Sequence, residues 1–178
     1  MLPEATSQVW RFLETQPALA GMVLVGGTAL SLRIHHRLSE DLDIACLSSE
    51  LPRRRLEQLV LLARESGCEF VPNDNELAVE EFSQGGMDIH DYQQDYLARQ
   101  TVKVSIFTAD SPLQRILANH AEPLIRVATL DELFCSKAIV SARRSKTRDW
   151  FDLYVLMARH GYSMCDYFDA FRKAEIES

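Results

Sequence analysis

Met22-Val23-Leu24-Val25-Gly26-Gly27-Thr28 is a short, apolar, partly β-branched run stopped by paired glycines, the pattern of a buried strand entering a tight turn. From Thr28 to His36, Ala29, Leu30, Leu32 and Ile34 recur at helical spacing, with Thr28 placed to cap the first backbone donors. Asp41-Leu42-Asp43-Ile44-Ala45 then alternates acidic and apolar side chains, which predicts a strand with both carboxylates on one face and Leu42 and Ile44 on the other. The unit is strand, glycine turn, helix, acidic strand.

Toward the N-terminus, Val9, Trp10, Phe12 and Leu13 predict a helix from Glu4 to Thr15, stopped by Pro17. Downstream, Pro52 to Ser66 is an amphipathic helix closed by Gly67. Cys68 to Val71, Leu77 to Phe82 and Thr101 to Phe107 read as strands, separated by Pro72-Asn73-Asp74-Asn75 and by a polar stretch around Gly85-Gly86. The last third is helical in spacing over 111–119, 130–143, 148–159 and 164–173, with Pro123 and Gly161 as punctuation. With no flexible linker and no internal repeat, these helices are expected to pack directly on the sheet. The expected architecture is α/β (α+β): a mixed sheet with flanking helices over 1–110 and a helical C-terminal cap over 111–178, in one compact unit.

At 178 residues the chain has material for one ordinary domain. It is 47% hydrophobic and 25% charged, which excludes disorder, collagen and coiled coil. A formal charge of −7 has the wrong sign for coating nucleic acid through bulk electrostatics, so any such contact must be local. Cys46, Cys68, Cys135 and Cys165 are too scattered for a zinc knuckle or redox motif and suit a reducing compartment. No secretory leader is indicated at the N-terminus, and the apolar run Leu59 to Ala63 is far shorter than the roughly 20 residues that cross a bilayer. A cytoplasmic location without membrane contact is expected.

Two carboxylates about 7 Å apart along one strand face can share a hard divalent cation, and their mutual repulsion favours one. Magnesium, with manganese as its substitute, suits such a pair, because it completes its shell with water and substrate phosphates. The implied ligand is a nucleoside triphosphate. Gly26 and Gly27 let backbone approach the phosphates, and the following helix directs its unpaired N–H groups at them.

Taken together, Val25-Gly26-Gly27-Thr28-Ala29-Leu30 and His36-Arg37-Leu38-Ser39-Glu40-Asp41-Leu42-Asp43-Ile44 resemble the signature of AbiEii/AbiGii-type nucleotidyltransferases, a branch of the polymerase-β-like superfamily. Leu130-Asp131-Glu132-Leu133, Lys137, Arg144 and Arg148-Asp149-Trp150-Phe151-Asp152-Leu153-Tyr154 resemble the downstream motif of the same family. The resemblance implies a nucleotidyltransferase fold in which Asp41 and Asp43 bind metal ions that assist in-line attack on the α-phosphorus, with pyrophosphate leaving. It also implies that Gly26, Gly27 and Thr28 hold the β and γ phosphates and that Arg37 and Ser39 contact the same triphosphate. Lys137 would face the nucleotide, and the helix carrying Asp149 and Asp152 would close the site, Asp149 as a catalytic carboxylate. Plainer alternatives stand beside these: Arg37 as a solvated loop charge, Lys137 as an exposed helix lysine, and Arg148, Asp149 and Asp152 as ion pairs fixing the helix to the core. By resemblance the chain is a toxin of a toxin–antitoxin or phage-defence pair, with a transfer RNA end or a protein side chain as acceptor and a cognate antitoxin.

The pattern departs from the family at the third carboxylate, whose expected position carries Ser105, a poor metal ligand and a weak base. Glu80, Glu81 or Asp149 are candidates to supply the missing charge. Two alternatives therefore stay open: a small-molecule, antibiotic-type nucleotidyltransferase, and a degenerate nucleotide-binding module. Remaining features read as structural. Asp88-Ile89-His90-Asp91 with Asp95 is a solvated polar connection, and His35 and His36 are cations at a helix end. Trp10, Trp150 and Phe151 read as core residues, and Arg53-Arg54-Arg55 and Arg143-Arg144-Ser145-Lys146 are local basic clusters that read as solvated helix faces by default, with contact to RNA phosphates or a negatively charged partner as the alternative.

Overall fold

The computed structural model describes residues 2–117, 122–144 and 146–176. Its strands are β1 (Val23–Val25), β2 (Leu42–Cys46), β3 (Phe70–Pro72), β4 (Gln93–Ala98), β5 (Val102–Thr108) and β6 (Arg126–Val127). They form one mixed sheet in the order β3-β4-β5-β2-β1-β6. The helices are α1 (Glu4–Leu13), α2 (Gly26–Ile34), α3 (Arg53–Glu65), α4 (Glu76–Gln84), α5 (Ser111–Ile116), α6 (Leu130–Arg143), α7 (Thr147–His160) and α8 (Met164–Lys173).

The acidic strand sits near the middle, antiparallel to β1 and parallel to β5, with Asp43 opposite both Val25 and Ser105. Its alternation does what the pattern requires: Leu42 and Ile44 are fully buried with Val104 and Ile106 from β5, in a core shared with Val9 and Leu13 of α1 and Leu56 and Leu59 of α3. The opposite face carries Asp43, and α5 and α6 stand over it, lining a cavity with Asp43 and Phe107. The C-terminal segment also contributes β6, which pairs in parallel with β1, so the sheet is built from both halves of the chain.

Several expectations are corrected. Leu77 to Phe82 is helical, within α4, because Asn75 accepts a hydrogen bond from the Leu77 N–H and the sequence is rich in helix formers. No residue of α4 is buried, so the segment has no seat in a sheet. The polar stretch from Gln93 to Ala98, read as a connection, is strand β4, with Asp95 on it rather than in a loop. The paired glycines are the first turn of α2 rather than a turn before it. Thr28 does not cap that helix; Val25 occupies the cap position and no side chain caps the helix. Asp41 lies one residue before β2. The helix expected over 111–119 ends at Ile116, and Asn119 lies outside the described residues, as does Ser145 of the second basic cluster.

Trp10 is buried as expected, but Trp150 and Phe151 are 47% and 43% exposed. The buried stripe of α7 is instead Asp149, Asp152, Leu153, Val155 and Leu156. Among the described residues, no helix is long and apolar enough to cross a membrane.

Truncating Ile44 to Ala removes buried methyl groups at the middle of the sheet and is expected to cost about 2–5 kcal/mol. Trp150→Ala is expected to cost well below the Ile44 value. Urea denaturation monitored by circular dichroism checks the pair, and equal losses would contradict the layer assignment.

Candidate active site

Three local features place the site. The first is the start of α2, where uncapped backbone N–H groups of the first turn remain available to an anion. Gly26 adopts φ +74°, and a Cβ there would lie 2.5 Å from Asp43 Oδ2. Only glycine combines that backbone with that approach. A Cβ on Gly27 would lie 2.6 Å from Arg37 Nη2 and 3.0 Å from Ser39 Oγ. The two glycines therefore pack directly against the acidic strand and the loop that precedes it.

The second is that loop. Thr28 is fully buried, and its hydroxyl donates to the Asp41 carbonyl and shares a 3.0 Å hydrogen bond with Ser39 Oγ. Thr28 thus positions the Ser39–Asp41 segment and does not face the cavity, in contrast to the expected phosphate contact. Ser31 Oγ donates to the Arg37 carbonyl at 2.7 Å and fixes the loop from below.

The third is a buried ionic network. Lys137 is 7% exposed, and its Nζ lies 2.8 Å from both Asp149 Oδ1 and Asp152 Oδ2. Arg37 clasps Asp152 in bidentate fashion, Nε to Oδ1 at 2.7 Å and Nη2 to Oδ2 at 2.9 Å. His36 Nε2 adds a contact of 2.7 Å to Oδ1. The ring stacks on Phe151, and Nδ1 is buried without a partner, which suits the tautomer that donates from Nε2. Arg144 Nε donates to Asp149 Oδ2 at 3.1 Å. His36 is thus a network member rather than a helix-end cation. Arg37 and Lys137 are likewise neither a solvated loop charge nor an exposed lysine.

Electrostatics follow from this packing. Burial pushes the Asp43 carboxyl above its ordinary value, helped by the Asp41 charge and opposed by Lys137, Lys103 and Arg144. Burial also acts to raise Asp152, but the hydrogen bonds from Arg37 and His36 and the charge of Lys137 prevail and hold it well below the carboxylate range. For Asp149, burial is likewise outweighed by Lys137 and Arg144.

A cavity of about 220 Å³ opens between these parts, lined by Gly27, Arg37, Ser39, Asp41, Asp43, Lys103, Lys137, Arg144, Lys146, Arg148 and Asp149. Six cationic side chains face three carboxylates there, in a chain whose overall charge is −7. A second cavity of about 470 Å³ adjoins it, sharing Asp43 and Arg144 and walled by Val25, Phe107, Leu113, Ile116, Ile139 and Val140. The expected residues Gly26, Gly27, Arg37, Ser39, Asp41, Asp43, Lys137, Arg144, Arg148 and Asp149 therefore line one composite site. Asp152 stands behind the wall as the anchor of Arg37 and Lys137. Glu80 lines a different groove, with Asp74 and His90, and supplies no charge here. Lys103 and Lys146 were missed as site residues; Lys103 had only its alternation with Ser105 and Phe107 to mark its face. Among the described residues, no group of three or more acidic, histidine or cysteine side chains forms a ready-made metal cage. Two carboxylates suit a cation that arrives with a polyphosphate.

The model of the nucleotidyl transferase AbiEii toxin family, a type IV toxin–antitoxin system, matches residues 10–177. The chain belongs to this family. It is also 26% identical over 141 residues to an uncharacterized protein of Aquifex aeolicus (strain VF5), covering 79% of this chain and 60% of that relative. It thus spans about 60% of the length of the curated relative it matches. Among solved structures, JHP933 from Helicobacter pylori superposes with a TM-score of 0.57 at 23% identity, covering 97% of this chain and 74% of that one. The Megavirus polyadenylate synthase gives 0.54 at 12% identity, covering 89% and 31%. At these identities the likeness shows the fold: a mixed sheet with flanking helices of the nucleotidyltransferase type. The AbiEii-family chain also accounts for the other polar clusters without a site: Arg53 pairs with Asp88 at 2.8 Å and Asp91 at 3.0 Å, and His90 bridges Asp88 and Asp74, so that segment is a tied surface turn. Arg55 donates to the carbonyls of Ala18 and Ala20 rather than standing in solvent.

Gly26→Ala is expected to displace Asp43 and to lower any activity of the site by at least about tenfold while the chain remains folded. Circular dichroism and an activity assay read side by side check this. The Asp152 carboxyl also makes a pH prediction. Its folded value lies below the unfolded value of about 3.9, so its stabilisation is complete above that pH and is lost as pH falls toward the folded value. Asp152→Asn is expected to cost about 3–5 kcal/mol at neutral pH by leaving buried cations underpaired. It should also flatten the loss of stability as pH falls below about 4 toward the folded value; parallel pH profiles for wild type and variant would contradict the assignment.

Proposed function

We propose that this chain is a magnesium-dependent nucleotidyltransferase that moves a nucleoside monophosphate from a triphosphate to an acceptor hydroxyl on an RNA end or a protein side chain. The observation that carries the reading is the close approach of Asp43 to Gly26 at the open start of α2, beside a cavity lined by Gly27 and Asp43 where cations outnumber carboxylates. An acidic chain that concentrates positive side chains in one place favours a polyanionic ligand there.

In this reading, the N–H groups of Gly26 and Gly27 and the side chains of Ser39, Arg37 and Arg148 bind the triphosphate. Asp41 and Asp43 hold magnesium, or manganese in its place; bound there, the ion neutralises charge on the phosphates and activates the α-phosphorus. Lys137, fixed by Asp149 and Asp152, keeps its ammonium aimed at the same cavity and stabilises charge that builds on the phosphates. Arg144 spans both cavities, and the apolar one has walls suited to a nucleoside. Family membership supports a role as the toxin of a cytoplasmic toxin–antitoxin pair opposed by a cognate antitoxin.

Purified protein incubated with each α-labelled triphosphate, magnesium, and either total RNA or a protein extract is expected to label one acceptor class. Asp41→Asn and Asp43→Asn are each expected to reduce the labelling at least about a hundredfold. Variants that label as fast as wild type would falsify the mechanism. Tight triphosphate binding by calorimetry without transfer to RNA, protein or small-molecule drugs would instead favour the binding-module reading.

A further inference from the structure

Asp43 on β2 is opposite Ser105 on β5, and Ser105 is opposite Asp95 on β4. Paired positions on neighbouring strands point to the same side of a sheet, so these residues form one polar row across three strands. Ser105 Oγ donates its hydrogen to Asp95 Oδ1, and Gln93 Nε2 donates to Oδ2 at 2.7 Å. Among the described residues, no cation is ion-paired with Asp95; its contacts are neutral donors. Ser105 and Asp95 each retain 9% exposure.

The row begins at the candidate site, with Asp43, and runs away from it across the sheet. Along β5, Lys103, Ser105 and Phe107 share a face, with Lys103 lining the polar cavity and Phe107 the apolar one, while Asp43 lines both. Ser105 itself lines neither cavity; it lies on the same face between Lys103 and Phe107, next to Asp43, one layer beneath the junction of the two cavities. With strands about 4.8 Å apart, Ser105 is one spacing from Asp43 and Asp95 is two, about 10 Å. That is too far for Asp95 to share an ion with Asp43 at magnesium–oxygen distances of about 2.1 Å. Asp95 can act at the site only through the serine hydroxyl.

We propose that Ser105 and Asp95 form a two-step proton relay that accepts the proton of the attacking acceptor hydroxyl. This rests on the nucleotidyl-transfer reading above. As the acceptor O–H bond breaks, its proton passes to Ser105 Oγ, and the Ser105 proton passes to Asp95 Oδ1. The acceptor oxygen bonds to the α-phosphorus, and the α–β phosphoanhydride bond breaks with its electron pair leaving on pyrophosphate. Asp95 ends the step protonated and returns the proton through Ser105 to the departing pyrophosphate or to water. A serine alone is a weak base; one whose own proton is handed on to a carboxylate as it accepts another avoids that limit. The relay would replace the carboxylate that the resemblance leads one to expect at position 105.

The test compares wild type, Asp95→Asn, Ser105→Ala and the double variant Ser105→Asp with Asp95→Asn. Single-turnover transfer from labelled triphosphates, triphosphate affinity by calorimetry, and the proton inventory in H2O–D2O mixtures are measured on each. Asp95→Asn and Ser105→Ala are expected to slow transfer about 10²–10³-fold with affinity within about twofold of wild type. The double variant, which puts a carboxylate directly in the row, is expected to recover to within about tenfold of wild type. Its inventory should be linear where the wild-type inventory is bowed by two protons in flight. Wild-type rates in Asp95→Asn overturn the relay, as does a loss of rate matched by loss of affinity and unrelieved in the double variant, which marks a purely structural pair. Wild-type protein that transfers no label to any acceptor overturns the nucleotidyl-transfer reading and the relay with it, so the two failures are distinguishable.

Discussion

Lys137 Nζ, 2.8 Å from both Asp149 and Asp152, is the contact on which the rest of the site depends. Each buried charge costs several kcal/mol in lost hydration unless its partners are in place. Here the partners come from α6, from α7 and, through Arg37 and His36, from the loop before β2. None of these segments satisfies its own charge alone. The network therefore favours one assembled state, in which the C-terminal helices and the loop between α2 and β2 form a single wall of the cavity.

The same network explains why α7 turns its aromatics outward. An amphipathic helix ordinarily buries Trp and Phe, but Asp149 and Asp152 must face Lys137, and residues three apart on a helix share a face. Leu153 and Leu156 can follow them inward; Trp150 and Tyr154 cannot, and both are exposed. Phe151 lies at the margin, half exposed, where its ring still stacks against His36. A charge requirement thus outweighs hydrophobic burial over one turn of helix.

What was legible in the sequence was local. The glycine pair, the Asp41–Asp43 spacing and the buried run before them are short-range patterns, and their juxtaposition follows from one strand–helix–strand unit. Contacts that join distant segments leave no such trace: nothing near Arg37 or Lys137 in the sequence marks Asp152 as a common partner. Strand β4 was hidden because its inward side carries Gln94 beside Tyr96 and Ala98, so polarity on both faces imitates a loop. Gln94 is tolerated there because Tyr96 donates to its side-chain oxygen at 2.6 Å and its amide donates to the His90 carbonyl at 3.0 Å. Leu77 to Phe82 misled in the opposite direction, since a short run of mixed apolar and acidic residues fits either period and Asn75 settles it as a helix. With β4 read as a connection, Asp95 lost its strand neighbour, and Ser105 looked isolated.

The core and the site are also one constraint. In a sheet, a slip of one residue sends every side chain of a strand to the opposite face. If β2 slipped relative to β1 and β5, Asp43 would enter the apolar layer and Ile44 would take its place against Gly26. Burial of Leu42 and Ile44, worth about 1.5–3 kcal/mol each relative to exposure, opposes that slip far more strongly than any interaction of Asp43 itself. The buried Asp43 carboxylate is thus held at the cavity by Leu42 and Ile44, which line neither cavity. The register that seats Asp43 beside Gly26 also places Ser105, and beyond it Asp95, in the same row. Whatever chemistry the row performs, its alignment is set by the hydrophobic side chains beneath it.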